Sequence, residues 1–220
     1  MSNFKMLLYL AVIAGICIGQ DNAFHISISI SIRIRLNNQQ IDGLCEGVTK
    51  AMIKREEWQA IQPRYIKRLN HVVNEVFVWH TGPDTCRMIG LSGSNCQQCI
   101  RDEPCMVKRI SAIQNADLSA GREDIAYNFL IGQDGVIYEG RGWNVAGPED
   151  SDQNTLSVGM IGDFTNKKPS YESLSALKNL LSCRQVSGVL SDPFDITTTP
   201  EISGKAFFDL LKRCNGICQN

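Results

Sequence analysis

Residues 125–140 read IAYNFLIGQDGVIYEG, and this stretch decides the fold. Two apolar runs flank Gln133, Asp134 and Gly135. An Asp-Gly pair is favoured in the tight turns that join antiparallel strands. The stretch therefore predicts a β-hairpin whose two strands are rich in apolar side chains.

Further strands and helices are predicted on both sides of this hairpin. Apolar runs predict buried strands over residues 71–80 and 156–164. Apolar side chains recur at helical spacing over residues 104–115, 170–185 and 204–214. Because strands and helices are mixed along the chain, we predict a layered α/β or α+β domain.

The N-terminus predicts export from the cell. Residues 1–19 have an early Lys5, then an apolar run that ends at the small Gly19, which is the layout of a secretory signal peptide. A signal anchor is the alternative, although the run is short for a bilayer span. No second long apolar run follows, so we expect a soluble, secreted mature chain without a membrane span.

The net charge gives no indication of an acidic or a basic partner. The chain has 22 Lys and Arg residues against 23 Asp and Glu residues. This balance does not predict binding to nucleic acid or to an anionic membrane.

Residues 20–44 form a low-complexity segment before the main domain. Within residues 24–36, Ile alternates with Ser or Arg, a period of two that can form an amphipathic strand. An edge strand, a disordered tail and an aggregation-prone arm are all compatible with this pattern. We assign the segment no function and place one compact domain at residues 45–218.

The cysteines favour disulfides. Cys17 lies in the predicted leader, and an even number remains in an exported chain, which favours disulfide bonds over metal binding. Cys96-x-x-Cys99 could instead be half of a zinc site or a redox motif, but no histidine lies within ten residues of it. The surrounding residues 87–100 are polar, with Gly and Ser, and predict a loop. The eight remaining cysteines are Cys45, Cys86, Cys96, Cys99, Cys105, Cys183, Cys214 and Cys218.

His80 lies where a predicted strand meets a loop, within VNEVFVWHTGPDTC at residues 73–86. Gly82 and Pro83 break the chain directly after it. Such a junction is a common place for a catalytic group or a metal ligand, so the position of His80 calls for an explanation.

Several motifs resemble one known family, the peptidoglycan recognition proteins. AYNFLIGQDGVIYEGRGWNVAG (126–147) and SVGMIGDFTNKKPS (157–170) carry the resemblance. KREEW (54–58), VFVWHTGPDTC (76–86) and CMVKRISAIQN (105–115) match in order and spacing. The resemblance covers roughly residues 45–212. It implies a zinc-amidase-like (type 2 amidase) fold, in which a mixed central β-sheet is flanked by helices and a groove on one face binds bacterial peptidoglycan.

Catalytic relatives bind one zinc ion through two histidines and a cysteine, while a tyrosine assists the bound water. Here Trp79 stands at the first histidine position and Ile202 at the cysteine position, and residues 191–205 contain no histidine. An indole N–H can only donate a hydrogen bond. A catalytic zinc needs about three protein ligands and an open position. The resemblance therefore predicts a chain without zinc and without amidase activity, in which only the tyrosine survives, as Tyr127.

Five residues are the predicted peptidoglycan contacts. His80 could instead be hydrogen-bonded at the groove floor, and Tyr127 could be a packed ring. Arg141 could pair with a ligand carboxylate or form a surface salt bridge, and Trp143 could stack on a sugar or be a core aromatic. The five residues are His80, Tyr127, Arg141, Trp143 and Asn144.

The loop at residues 147–154 departs from the family pattern because it gains Glu149, Asp150 and Asp152. Stem peptides of peptidoglycan carry carboxylates, so like charges should weaken their binding here. A solvated acidic loop is the simpler alternative, and an EF-hand calcium site lacks the required spacing.

The resemblance also implies disulfide pairings. Cys86–Cys105 matches the common bridge, and Cys45–Cys183 matches a second bridge found in many relatives. Cys96–Cys99 and Cys214–Cys218 are left over, and local pairing is the expectation.

The function implied is that of a secreted, non-catalytic recognition protein of innate immunity that binds bacterial cell-wall fragments. Two alternatives remain open. One is a regulator that binds other recognition proteins, and the other is a zinc-dependent N-acetylmuramoyl-L-alanine amidase with a divergent site.

Overall fold

Two units make up the chain, residues 1–40 and residues 41–220. The structure, a computed structural model, describes residues 10–15, 27–32, 45–69, 72–82, 85–147, 155–186, 189–198 and 204–208. Within these ranges no helix is long and apolar enough to cross a membrane.

The N-terminal unit contains a pair of antiparallel strands, β1 (Leu10–Gly15) and β2 (Ser27–Ile32). Leu10 pairs with Ile32, and Gly15 pairs with Ser27. The alternating Ser-Ile repeat thus adopts the strand that its period of two allows. The signal peptide predicted at residues 1–19 concerns export and stays a prediction.

The second unit contains a mixed sheet and four helices among the described residues. The elements are α1 (45–50), β3 (Met52–Ile53), β4 (Val73–His80), α2 (Gly93–Cys99), α3 (Glu103–Ser119), β5 (Phe129–Ile131), β6 (Ile137–Glu139), β7 (Thr155–Met160), α4 (Tyr171–Val186) and β8 (Leu190–Thr197). A 3-10 turn at Arg87–Ile89 and a helical turn at 205–208 complete the described structure.

The strand order of the sheet is β3-β6-β5-β7-β4-β8 among the described residues. The β5–β6 pair is antiparallel, and the other neighbours are parallel.

The predicted hairpin is confirmed as β5 and β6. Phe129 pairs with Glu139, and Ile131 pairs with Ile137. In the turn, the Asp134 carboxylate accepts the Val136 N–H at 3.1 Å. Gly135 has φ of +83°, a conformation that glycine adopts without steric cost.

Each face of the sheet packs on a different helix. On one face, Val76, Val78 and Phe129 pack in a core with Leu177 and Leu180 of α4. On the other face, side chains of the sheet and of α3 form a second core. Its members include Tyr127, Leu130, Met106, Ile110 and Ile113. The sheet is therefore covered on both sides, as a mostly parallel sheet requires.

Two predicted helices are confirmed, and one is described only in part. α3 begins one residue before Pro104, which suits the first turn of a helix. The Ser170 hydroxyl accepts the Ser173 N–H at 3.1 Å and caps α4. Of the helix predicted at 204–214, the described part is helical over residues 205–208, where Phe207 is fully buried.

The loop predicted at residues 87–100 is wrong, because this stretch contains the 3-10 turn and α2. Two of the predicted disulfides are also wrong. Cys86 is bonded to Cys96, and Cys99 is bonded to Cys105. Cysteines three apart on a helix have Cβ atoms about 5–6 Å apart, whereas a disulfide needs about 3.5–4.5 Å. The two α2 cysteines therefore pair outward, one with each flanking segment.

The predicted Cys45–Cys183 bridge is present and ties α1 to α4 across 138 residues. Cys214 and Cys218 lie outside the described residues.

β8 is a strand that the sequence did not predict. It runs parallel to β4 at the edge of the sheet, with a register shift between Val73 and Glu75. Edge strands tolerate proline, so Pro193 fits this position. The Thr197 hydroxyl donates to the Glu75 carboxylate at 2.5 Å and helps to fix the pairing.

Candidate functional site

Trp79, at the predicted zinc-ligand position near the end of β4, belongs to a row of aromatic rings. Its ring lies edge-on to Phe77 at 5.2 Å and to Tyr127 at 5.6 Å between centroids. Edge-to-face contacts at these distances are favourable. The indole therefore packs with other rings where a catalytic relative would present an imidazole.

A glycine in the neighbouring strand makes room for this row. Gly159 of β7 lies in register with Trp79. A Cβ atom on Gly159 would lie 2.6 Å from Cδ1 of Tyr127. The Tyr127 ring thus lies directly on the backbone of β7, and only glycine leaves space for it.

The residues at this position do not fit a zinc ion. The Trp79 Nε1 atom is buried and has no hydrogen-bond partner in the part of the chain that the structure describes. It carries a proton and has no lone pair to offer a metal. Within the described ranges, no three His, Cys, Asp or Glu side chains come together as a metal-binding group. Ile202 lies outside these ranges.

His80 is held as a neutral imidazole. Its Nδ1 accepts the Phe164 backbone N–H at 2.9 Å, so Nδ1 carries no proton and Nε2 carries it. Burial lowers the pKa of His80, and the Asp163 carboxylate, 3.9 Å away, partly opposes this shift. His80 therefore fixes the segment after β7 through this hydrogen bond, and a direct ligand contact through His80 stays a prediction.

Tyr127 is a packed ring in this structure. It is 8% exposed, and burial raises its phenol pKa well above the ordinary value, with a smaller contribution from Asp117. The ring contacts Trp79 and lies over Gly159. A direct ligand contact through Tyr127 stays a prediction.

Arg141 makes internal hydrogen bonds. Its Nε donates to the Ile125 carbonyl at 2.6 Å, and its Nη1 donates to the Ala146 carbonyl at 3.2 Å. Burial lowers the pKa of the guanidinium, and Asp124 and Asp117 oppose that shift. The two carbonyl partners shape the loop after β6. Among the described residues Arg141 forms no surface salt bridge, which was one of its two alternatives, and a ligand contact through Arg141 stays a prediction.

Trp143 and Asn144 lie apart from the aromatic row. The Trp143 ring is 4.2 Å from Phe129, on the α4 face of the sheet, whereas Tyr127 lies on the α3 face. Asn144 is exposed, and its carbonyl accepts the Leu69 N–H at 3.0 Å. The structure thus does not bring the five predicted contacts into one cluster.

Asn128 was not predicted as a site residue, and it organises the loop after β6 that carries Trp143 and Asn144. Its side-chain amide donates to the carbonyls of Gly142 at 2.7 Å and Val145 at 2.5 Å. Its Oδ1 accepts the Ser157 N–H at 2.8 Å. This fully buried side chain links β7 to the loop after β6.

The KREEW motif is also structural. Arg55 forms a bidentate pair with Asp124 at 3.0 and 3.3 Å and donates to the Gly140 carbonyl at 2.5 Å. The Trp58 Nε1 donates to the Glu139 carbonyl at 2.8 Å. These contacts dock the segment after β3 on the end of β6.

The acidic loop with Glu149, Asp150 and Asp152 falls outside the described residues, which stop at 147 and resume at 155. Its predicted effect on ligands stays a prediction.

Known proteins share this fold. The family described as N-acetylmuramoyl-L-alanine amidase matches residues 69–206. Peptidoglycan recognition protein 1 of Mus musculus is 34% identical over 148 residues, which cover 66% of this chain and 74% of that protein.

Two solved structures are similar. PGRP-Hd from Alvinella pompejana has a TM-score of 0.69 and 43% identity, with 76% of this chain and 98% of that chain covered. Peptidoglycan recognition protein-LE, solved in complex with tracheal cytotoxin, a monomeric diaminopimelic acid-type peptidoglycan, has a TM-score of 0.63 and 28% identity, with 74% and 94% covered. The predicted mixed sheet with flanking helices is confirmed as the fold of these amidase-like proteins. The chain therefore belongs to the peptidoglycan recognition proteins, within the N-acetylmuramoyl-L-alanine amidase family.

Proposed function

We propose that this chain is a secreted recognition protein of innate immunity that binds bacterial peptidoglycan and does not cleave it. Family membership supports peptidoglycan as the ligand class, since a relative was solved with a peptidoglycan fragment. The three bridges among the described residues suit an oxidising, extracellular environment.

The observation that carries the non-catalytic part is the buried indole of Trp79 at the position of a zinc histidine. It packs between Phe77 and Tyr127, and its Nε1 cannot ligate a metal. His80 offers no substitute, because Nδ1 is occupied by the Phe164 N–H and Nε2 holds the proton. A Zn²⁺-bound water, which supplies the nucleophile in amidases, has no ligand set on these residues.

The experiment combines binding, metal content and turnover on one sample. Purified protein is sedimented with insoluble peptidoglycan of both cross-link types, its zinc content is measured, and release of stem peptide is followed. We expect co-sedimentation, far less than one zinc per chain, and no cleavage. One zinc per chain with chelator-sensitive cleavage would establish the divergent amidase instead. Failure to pellet with either wall type would leave the regulator of other recognition proteins as the better reading.

We further propose that Trp143 and Asn144, in the loop after β6, supply ligand contacts, while His80 and Arg141 hold the neighbouring backbone in place. Among them Asn144 is the exposed side chain, so Asn144→Ala tests binding without disturbing packing. Trp143→Ala should weaken binding by about 1–3 kcal/mol if the ring also stacks on ligand. Because Trp143 packs on Phe129, the stability of Trp143→Ala must also be measured, so that a loss of binding is not mistaken for unfolding.

Glu149→Ala is the matched control in the acidic loop. Removing a carboxylate that opposes an anionic ligand should leave binding unchanged or tighten it, and more so at low salt. Weaker binding of Glu149→Ala at low salt would contradict the proposed repulsion.

Export is tested separately by N-terminal sequencing of secreted protein, which should begin near Gln20.

A further inference from the structure

A pocket of about 170 Å³, lined by apolar and charged side chains, lies beyond the carboxyl ends of β4, β5 and β7. Gly82, Gln133 and Asp163 line it from the segments that follow these three strands, and Arg109 of α3 forms part of its wall. The strands are parallel to one another, and the end of such strands is a frequent place for ligands. The pocket contains none of the five predicted peptidoglycan contacts.

Arg109 is the unusual residue of this pocket. Its side chain is 5% exposed, and its Nε donates to the Thr85 hydroxyl at 2.8 Å. Among the described residues no carboxylate lies within ion-pair distance of it, whereas Arg55 has Asp124 at 3.0 Å. Burial alone lowers the pKa of Arg109 to about 10, so the guanidinium stays charged at neutral pH. A buried charge without a counter-ion is unfavourable, and a bound anion removes that penalty.

The other polar side chains of the pocket leave Arg109 available. The Gln133 amide already accepts the Ser170 N–H at 3.0 Å and donates to the Ile161 carbonyl at 3.3 Å. The Asp163 carboxylate accepts from the hydroxyl and the N–H of Thr165, which lower its pKa. Lys167 is exposed at the rim, where its charge offsets that of the Asp163 carboxylate, so the charge of Arg109 remains as the net charge of the pocket.

We propose that this pocket binds a carboxylate. The planar guanidinium of Arg109 would hold both oxygens, which is the geometry that makes arginine-carboxylate pairs strong. Lys167 would attract the anion at the entrance. The pocket is large enough to admit a small carboxylate such as acetate.

The cysteine motif that the family resemblance left unexplained stiffens this pocket. Cys96 lines it and is bonded to Cys86, while Cys99 of the same helix is bonded to Cys105 of α3. Both ends of α2 are thus fixed to neighbouring segments. A wall held in this way keeps the charged pocket formed before the ligand arrives, which lowers the entropy cost of binding.

The carboxylate has two sources, a free organic acid or the end of a peptide, and the test separates them. The melting temperature of the full chain is followed with sodium acetate, with acetamide as the neutral isostere and sodium chloride at equal ionic strength. At ten times its Kd, acetate should raise the melting temperature by about 3–6 °C. A muropeptide with a free terminal carboxylate and its amidated form are then tested as competitors. Competition by the acid form alone assigns a peptide source, and no competition by either assigns a free acid.

Arg109→Met should abolish the acetate shift. Lys167→Ala should raise the Kd for acetate by about two- to fivefold, as removal of one exposed charge does. Lys168→Ala is the matched control, because this exposed neighbour does not line the pocket. Since Arg109→Met can fail to fold, the comparison of the two lysine variants is decisive by itself.

Three results would overturn the proposal. These are an acetate shift no larger than that of chloride, an equal shift in folded Arg109→Met, or equal Kd values for Lys167→Ala and Lys168→Ala. The inference does not depend on peptidoglycan recognition. If the wild type fails to pellet with cell wall but keeps its Arg109-dependent acetate shift, the peptidoglycan proposal fails and the carboxylate pocket stands.

Discussion

Gly159→Ala tests whether the Tyr127 ring is locked against the sheet. The new Cβ would lie 2.6 Å from Cδ1 and 2.8 Å from Cε1 of Tyr127, well inside contact distance. The ring has little room to withdraw, because it is 8% exposed and the Trp79 ring lies 5.6 Å away. Overpacking of this kind should lower the free energy of unfolding by about 1–3 kcal/mol.

A double-mutant cycle isolates the cause. Tyr127→Ala alone should cost about 3–5 kcal/mol, the range for deleting a buried aromatic ring. Without the ring, Gly159→Ala should be neutral or stabilise by up to about 1 kcal/mol, since alanine replaces a glycine inside a strand. The coupling energy, the difference between the two effects of Gly159→Ala, should therefore be about 1–4 kcal/mol. Gly47→Ala is the control, because nothing lies within 4 Å of a Cβ there.

Urea unfolding followed by far-ultraviolet circular dichroism measures all five proteins. Equal costs of Gly159→Ala with and without the Tyr127 ring would refute the packing argument. It would follow that Tyr127 is free to move toward a ligand. A large coupling energy would instead mean that any ligand contact of Tyr127 is made without displacing the ring.

Three further outcomes are expected. Asn128→Asp should destabilise more than Asn128→Ala in urea unfolding, by at least about 1 kcal/mol, because a carboxylate would face the two carbonyls that the amide now contacts. The lowered pKa of His80 means that the unfolded chain binds its proton more tightly. The stability that neutral His80 contributes to the folded chain should be complete above pH 6.5 and should be lost as the pH falls through the folded pKa. The free energy of unfolding of His80→Gln should lack this pH dependence. Replacing Cys45 and Cys183 together by serine should cost about 2–5 kcal/mol, as for native bridges that close long loops, and a cost below 1 kcal/mol would contradict the bridge.

Local patterns were sufficient for most of the sheet and for α3 and α4. The hairpin could be predicted because the turn at Asp134-Gly135 and the two strands that pair across it lie within a few residues of one another in the sequence. β8 could not, since its pairing with β4 joins residues more than a hundred positions apart, and Pro193 argues against a strand when read locally. α2 was missed because its composition is polar. Its two disulfides hold it against neighbouring segments, as a stripe of apolar side chains would in another helix.

The candidate site shows the same limit. The sequence left open whether Tyr127 packs or contacts ligand, and the deciding residue is Gly159, which is adjacent only in the folded sheet. Arg109 did carry a usable signal. It lies between Met106, Ile110 and Ile113 on the apolar stripe of α3, where a charged residue must be buried.

The motifs that identify this family are largely scaffold. Arg55 docks on Asp124 and Gly140, and Asn128 joins the loop after β6 to β7. A Cβ on Gly140 would collide with the Tyr127 carbonyl, so this glycine allows two backbone segments to lie close together. None of these contacts requires a metal. The position at which the resemblance implies a zinc histidine can therefore hold Trp79 while the fold remains, because the indole fills the space. The row of Phe77, Trp79 and Tyr127 fills it with rings, so the family fold is compatible with an indole at the position where the resemblance implies a zinc histidine.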